Sequence, residues 1–159
     1  MKTDQHKEYM ELAIRIAGEN IENGNGGPFG AVVVKDGKII ASSGNKVTSS
    51  NDPTAHAEVV AIREACDALH TFDLSGCELY ASCEPCPMCL GAIMWARIDR
   101  LYFAAGRKDA AKAGFDDELF YEEISRPAGE RQLPIHQILR EKAVEVFSKW
   151  IGKEDKVHY

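Results

Sequence analysis

Residues 31–43, AVVVKDGKIIASS, set two strand-forming runs on either side of Asp36-Gly37. An Asp-Gly pair between such runs signals a tight antiparallel hairpin, and a hairpin needs neighbours to cover its apolar faces. The rest of the chain supplies them in alternation. Met10, Ala13, Ile14, Ala17 and Ile21 recur at three- and four-residue steps, which predicts an amphipathic helix over 4–23 before the hairpin. The glycine-rich NGNGGPFG separates the two. After a polar loop come a helix over about 56–69, a strand CELYAS, a helix over 86–96 entered through proline, and a strand RLYFAA. Beyond 106 the periodicity predicts a helical patch near 108–120, a loop with Pro127 and Pro134, a strand at 135–139 and a helix near 141–151. Strands alternating with helices imply a central sheet covered on both faces, an α/β fold. No linker or repeat divides the 159 residues, so one domain, 1–159, is expected.

Composition narrows the classes of function. Nineteen Lys and Arg against 25 Asp and Glu give a net charge of −6, and no basic run appears. A broad phosphate-binding surface needs clustered positive charge, so nucleic acid is disfavoured as a partner. No stretch approaches the ~20 apolar residues of a membrane span, and the N-terminal MKTDQHKEYMELA is charged where a secretory leader is apolar. A cytoplasmic protein is expected.

Three of the five cysteines, Cys83, Cys86 and Cys89, fall within SCEPCPMC. In a reducing compartment such crowding points to metal chemistry more than to disulfides. A ferredoxin-like run would place its next cysteine at position 93, which is Ile93. A closed structural zinc site needs a second pair of hooks, and the isolated Cys66 and Cys77 read as small buried hydrophobes. His56, in DPTAHAEVVAIREA, is the candidate third ligand. Pro85 puts Cys86 and Cys89 one turn apart at a helix start, where N–H groups and the helix dipole favour thiolates. Cys83 still belongs to the strand exit and reads as a neighbour. His56 and Glu58, two apart, would face opposite sides of a regular helix, but at an extended helix entrance both face one pocket. There His56 ligates, Glu58 stands unligated as a proton carrier, and the small Ala57 leaves its backbone open to substrate. Three ligands and an open position are what hydrolytic zinc requires.

His-Ala-Glu and Pro-Cys-Pro-Met-Cys together meet the H-x-E…P-C-x-x-C signature of zinc deaminases. The chain resembles the cytidine/deoxycytidylate deaminase superfamily. That resemblance implies a three-layer α/β/α sandwich with a central mixed five-stranded sheet and one Zn2+ per subunit. It also implies hydrolytic deamination by a zinc-activated water with Glu58 as proton shuttle.

The longer pattern GGPFGAVVVKDGKII…DPTAHAE…SCEPCPMCLGAIMWARI resembles the branch of guanine deaminases, tRNA adenosine deaminases and cytosine deaminases. AGFDDELFYEEI and the segment closing in Tyr159 resemble most the small bacterial-type guanine deaminases, which convert guanine to xanthine and ammonia. By that resemblance Asn45 contacts the base and Asp117 is the pocket carboxylate, binding substrate and relaying protons. Tyr159, at the end of the tail 152–159, closes the pocket of a partner subunit in a homodimer. Phe29 and Trp95 are candidate stacking walls for a planar base. The alternatives are tRNA adenosine and cytosine, guanosine or another aminated ring. Against tRNA stand the charge balance and Trp95-Ala96, where bacterial tRNA-editing members often carry His-Ser.

Overall fold

The structure, a computed structural model, describes residues 2–159, with side chains from residue 4 on. Its chain divides into two compact units that meet in sequence between Asp117 and Glu118.

The first unit is built on the hairpin. Strands β1 (Gly30–Lys35) and β2 (Lys38–Gly44) pair antiparallel, and Asp36 and Gly37 both take positive φ, 49° and 73°, as a tight hairpin turn demands. On its other side β1 pairs antiparallel with β3 (Cys77–Cys83), and β3 pairs parallel with β4 (Arg100–Ala105), giving the order β2-β1-β3-β4. The sheet is mixed, as expected, but has four strands among the described residues, not five. The segment 135–139 is not a strand. Pro134 withholds a ladder donor at its start, and Leu139 ends it at φ 54°, outside extended space.

Period-two alternation in β1 and β3 sorts side chains onto two faces. Ala31, Val33, Leu79 and Ala81 pack under α3 (Ala57–Leu69) and α4 (Pro87–Trp95), with Ala57, Ala61, Ala65 and Ile93 completing that layer. Val32, Val34 and Tyr80 face α1 (Lys2–Glu22) through Tyr9 and Ala13. The unit is therefore a three-layer α/β/α sandwich. A short α2 (Val47–Ser50) lies in the loop after β2.

The helical patch after β4 is two helices. Helix α5 (Arg107–Lys112) closes the first unit, and the chain turns at Gly114, φ 92°, before α6 (Glu118–Ser125) opens the second. That second unit continues through a 3₁₀ turn, Ala128–Glu130, to α7 (Arg140–Ile151) and the tail ending in Tyr159. Among the described residues no helix is long and apolar enough to cross a membrane.

Candidate metal centre

The sheet brings one set of loops together. Gly30 pairs with Gly44 and Ala31 with Ala81, so the start of β1 and the ends of β2 and β3 share an edge. Backbone bonds then stitch the loops there. Asn45 N–H donates to Phe29 O (3.1 Å), Lys46 N–H to Ala55 O (2.9 Å) and Glu84 N–H to Ala105 O (2.8 Å). Gly30 N–H donates to the buried Ser82 Oγ at 3.0 Å.

His56 precedes α3 with φ −64° and ψ 153°, extended backbone as the two-residue spacing to Glu58 requires. Cys86 precedes α4 in the same way, φ −68° and ψ 170°, with Pro87 opening the helix and Cys89 in its first turn. The two helix starts meet. His56 Nδ1 lies 3.6 Å from Cys86 Sγ and 3.5 Å from Cys89 Sγ, and all three ligand atoms lie within 4.8 Å of one another. Bond lengths of ~2.0–2.1 Å to nitrogen and ~2.3 Å to sulfur, set at a tetrahedral angle, separate N from S by about 3.6 Å. The donor set and its spacing therefore fit zinc. Cys83 does not join the group; its thiol points at Gly106 O, 4.0 Å away.

Glu58 is 8% exposed, and its Oε2 accepts from the Cys89 thiol at 3.4 Å. Burial pushes its carboxyl upward, so a proton resides there more readily than on a surface glutamate. Without metal, the hydrogen bond from Cys89 pulls Cys86 down to about 4, and the same bond pushes Cys89 up. His56 is raised by its hydrogen bond with Cys86. Burial, then the neighbouring Glu58 and Asp117 carboxylates, push Cys83 up to about 11, which keeps it a neutral thiol.

The other expected site residues fall at different places. Asn45 is buried at the end of β2, its Oδ1 accepting from Val47 N–H at 3.0 Å and Gly27 N–H at 3.3 Å. Its amide oxygen is thus engaged, and the N–H pair is what it can offer. Ala57 is buried by its side chain, with its N–H in the first turn of α3, where no earlier carbonyl of the helix can bind it. Phe29 meets Phe115 edge-on, ring centres 4.9 Å apart, beside Cys83 in an apolar cavity of about 350 Å³. Asp117 Oδ1 lies 3.5 Å from Arg107 Nε, and Arg107 N–H reaches Glu84 Oε2 at 3.2 Å. That chain links Asp117 to the loop between Cys83 and Cys86. Trp95 is not brought to the metal group: it is 68% exposed in the last turn of α4, whereas Cys89 is fully buried in the first. Tyr159 ends the second unit, exposed.

Arg107 and Glu84 were missed by the sequence reading. Glu84 stands inside the cysteine run, and its place before Pro85 marked only the strand exit. Nothing local to Arg107 signals that it sits between two carboxylates.

Residues 3–105 match the family described as cytidine and deoxycytidylate deaminase zinc-binding region. A guanine deaminase from Bacillus subtilis is 52% identical over 154 residues, 97% of this chain and 99% of that one. The crystal structure of guanine deaminase from that organism superimposes with a TM-score of 0.94, covering 97% of this chain and 98% of that chain. A tRNA-specific adenosine deaminase from Agrobacterium fabrum is also 52% identical, but over 100 residues, 61% of this chain and 63% of that one. The matched family span holds both helix starts that carry His56, Glu58, Cys86 and Cys89, and the likeness in fold runs along nearly the whole chain. This protein belongs to the cytidine and deoxycytidylate deaminase family.

Proposed function

We propose that the chain is a zinc-dependent aminohydrolase that converts guanine and water into xanthine and ammonia. One observation carries the choice of base. Over nearly the full chain the likeness to a guanine deaminase stands at 52% identity, whereas a tRNA-specific adenosine deaminase from Buchnera aphidicola that spans 150 residues is 37% identical. The net charge of −6 also suits a small neutral base better than tRNA.

His56, Cys86 and Cys89 hold the metal, which when bound supplies Lewis-acid activation of water at neutral pH. The chain's own residues do the rest. Glu58 takes a proton from the attacking water and gives it to a ring nitrogen as the water oxygen bonds to C2 of the base. It then carries the second proton to the amino group, whose bond to C2 breaks to release ammonia. Its raised affinity for protons suits a group that must hold one between these steps. Asn45 donates to an acceptor on the base, and Asp117 accepts from a ring N–H or the amino group and relays protons. Phe29 walls the ring, and the Ala57 backbone lies beside it.

We further take the two units to act as one deaminase domain per subunit of a cytoplasmic homodimer. All five cysteines are free, as a reducing compartment keeps them. Helix α4 exposes Met88, Met94 and Trp95, an apolar stripe suited to a subunit contact. In this reading Trp95 acts there or across to the partner's pocket, and Tyr159 closes the partner's pocket.

The test is ammonia release by zinc-loaded protein with guanine, guanosine, cytosine, adenine and a tRNA anticodon hairpin in parallel. Guanine turnover is expected. Turnover of the hairpin instead would overturn the substrate while leaving the zinc chemistry in place.

A further inference from the structure

Asn45 does not hold itself. Asn20, in the last turn of α1, is 7% exposed, and its single side-chain amide reaches two carbonyls. Nδ2 donates to Gly27 O at 2.7 Å and to Asn45 O at 2.9 Å. With both hydrogens spent this way, Asn20 fixes the Gly27 peptide and the Asn45 backbone against each other. Gly27 N–H then points at Asn45 Oδ1, and Val47 N–H reaches the same oxygen from the other side.

Two backbone donors on one oxygen fix which way the Asn45 amide faces. If the amide flipped, its NH2 would oppose two N–H groups. Among the described residues Asn45 Nδ2 has no hydrogen-bond partner, yet no fully buried side-chain nitrogen or oxygen there lacks one. Nδ2 therefore opens onto space that solvent or a ligand reaches. The glycine-rich loop, NGNGG, allows the approach: a Cβ on Gly26 would stand 2.3 Å from Asn45 O and 2.8 Å from its Oδ1.

The geometry points to Asn20 as a positioning residue for base recognition. By clamping Gly27 against Asn45, it makes Asn45 present donors only, so the site selects rings with an acceptor at that point. This rests on the proposed role of Asn45 in binding; guanine, with acceptors at O6, N7 and N3, is one ring that satisfies it.

The test is a double-mutant cycle on zinc-loaded protein with Asn20→Ala, Asn45→Ala and the pair. For Asn20→Ala, kcat/KM for guanine should fall roughly tenfold, carried in KM with kcat within about twofold. In the Asn45→Ala background the same change should move KM by less than about twofold. Equal penalties in both backgrounds, or an unchanged KM, would overturn the inference. Should Asn20→Ala fail to fold, Gly26→Ala presses on the same contact and should show the same dependence on Asn45. An arm without substrate separates this inference from the choice of base. Amide hydrogen exchange at Gly27 and Val47 should quicken in Asn20→Ala, and unchanged exchange would overturn the clamp. If the wild type ignores guanine while that exchange still quickens, the choice of base fails and the clamp stands.

Discussion

Glu58 and the three metal ligands separate binding from chemistry. Glu58→Gln preserves shape and removes the proposed proton carrier, whose described thiol contact is with Cys89. Such a variant should hold zinc at wild-type stoichiometry while ammonia release falls by about 10²–10⁴-fold, read by metal analysis beside a turnover assay. The cysteines divide in the same way. Cys86→Ala removes a ligand and should lose zinc to a chelator far below the wild-type concentration. Cys83→Ala should match the wild type in that titration, because Cys83 faces Gly106 O rather than the metal group. At this scale the sequence was most legible. A spacing of two fits an extended helix start, and Cys-x-x-Cys after proline fits another, so spacing and proline together pointed to both. The place of Asn45 just after the hairpin was legible, but not the orientation of its amide. Which end of its amide faces outward depends on Gly27 and Val47, set by a loop whose glycines announce only that it bends.

Elements were legible where period and punctuation agreed. The strand-forming runs on either side of Asp36-Gly37 made the hairpin readable, and the three- and four-residue apolar spacing in α1 made the helix readable. The weak point was the stretch after β4, where one helical period spans two helices and Ile135, Ile138 and Leu139 mimic a strand without a partner to pair with. A second feature had no local signature, the polar link between α1 and the sheet face turned away from the metal. Tyr80 is fully buried between Tyr9 and the stacked ring of Tyr102, 4.8 Å away. Its hydroxyl donates to Glu78 Oε2 at 2.8 Å, and Arg100 holds the other oxygen at 3.0 Å. With that hydrogen committed, His6 Nδ1 is the donor across the 2.6 Å contact with Tyr80 Oη. Burial and the bond to Glu78 hold the phenol well above its usual pKa. Tyr80→Phe removes the partner of His6 Nδ1 and of one Glu78 oxygen, and the urea midpoint should fall by an amount worth about 1–2 kcal/mol. Zinc content should not change, since the metal ligands sit at the starts of α3 and α4 on the other face. A variant as stable as the wild type would show that the chain of bonds contributes nothing net.

For the whole molecule, the question is whether one subunit makes one working site. The second unit exposes Val144, Phe147 and Ile151, three residues on one face of α7, and its last residue is the exposed Tyr159. Surfaces of that kind are usually covered, and the proposed homodimer covers them with a second copy. Mixing two inactive variants tests where the tail acts. One is Glu58→Gln with its tail intact; the other keeps Glu58 but lacks residues 152–159. If each tail serves its own subunit, neither chain in any dimer combines Glu58 with a tail, and the mixture stays inactive. If each tail serves the partner, the shortened chain of a mixed dimer receives the tail of the Glu58→Gln chain. Random exchange makes about half the dimers mixed, each with one complete site, so about a quarter of wild-type turnover should return. The recovery should follow subunit exchange in time and vanish where the protein is too dilute to stay dimeric. Exchange without recovery would confine Tyr159 to its own subunit or remove it from the site altogether.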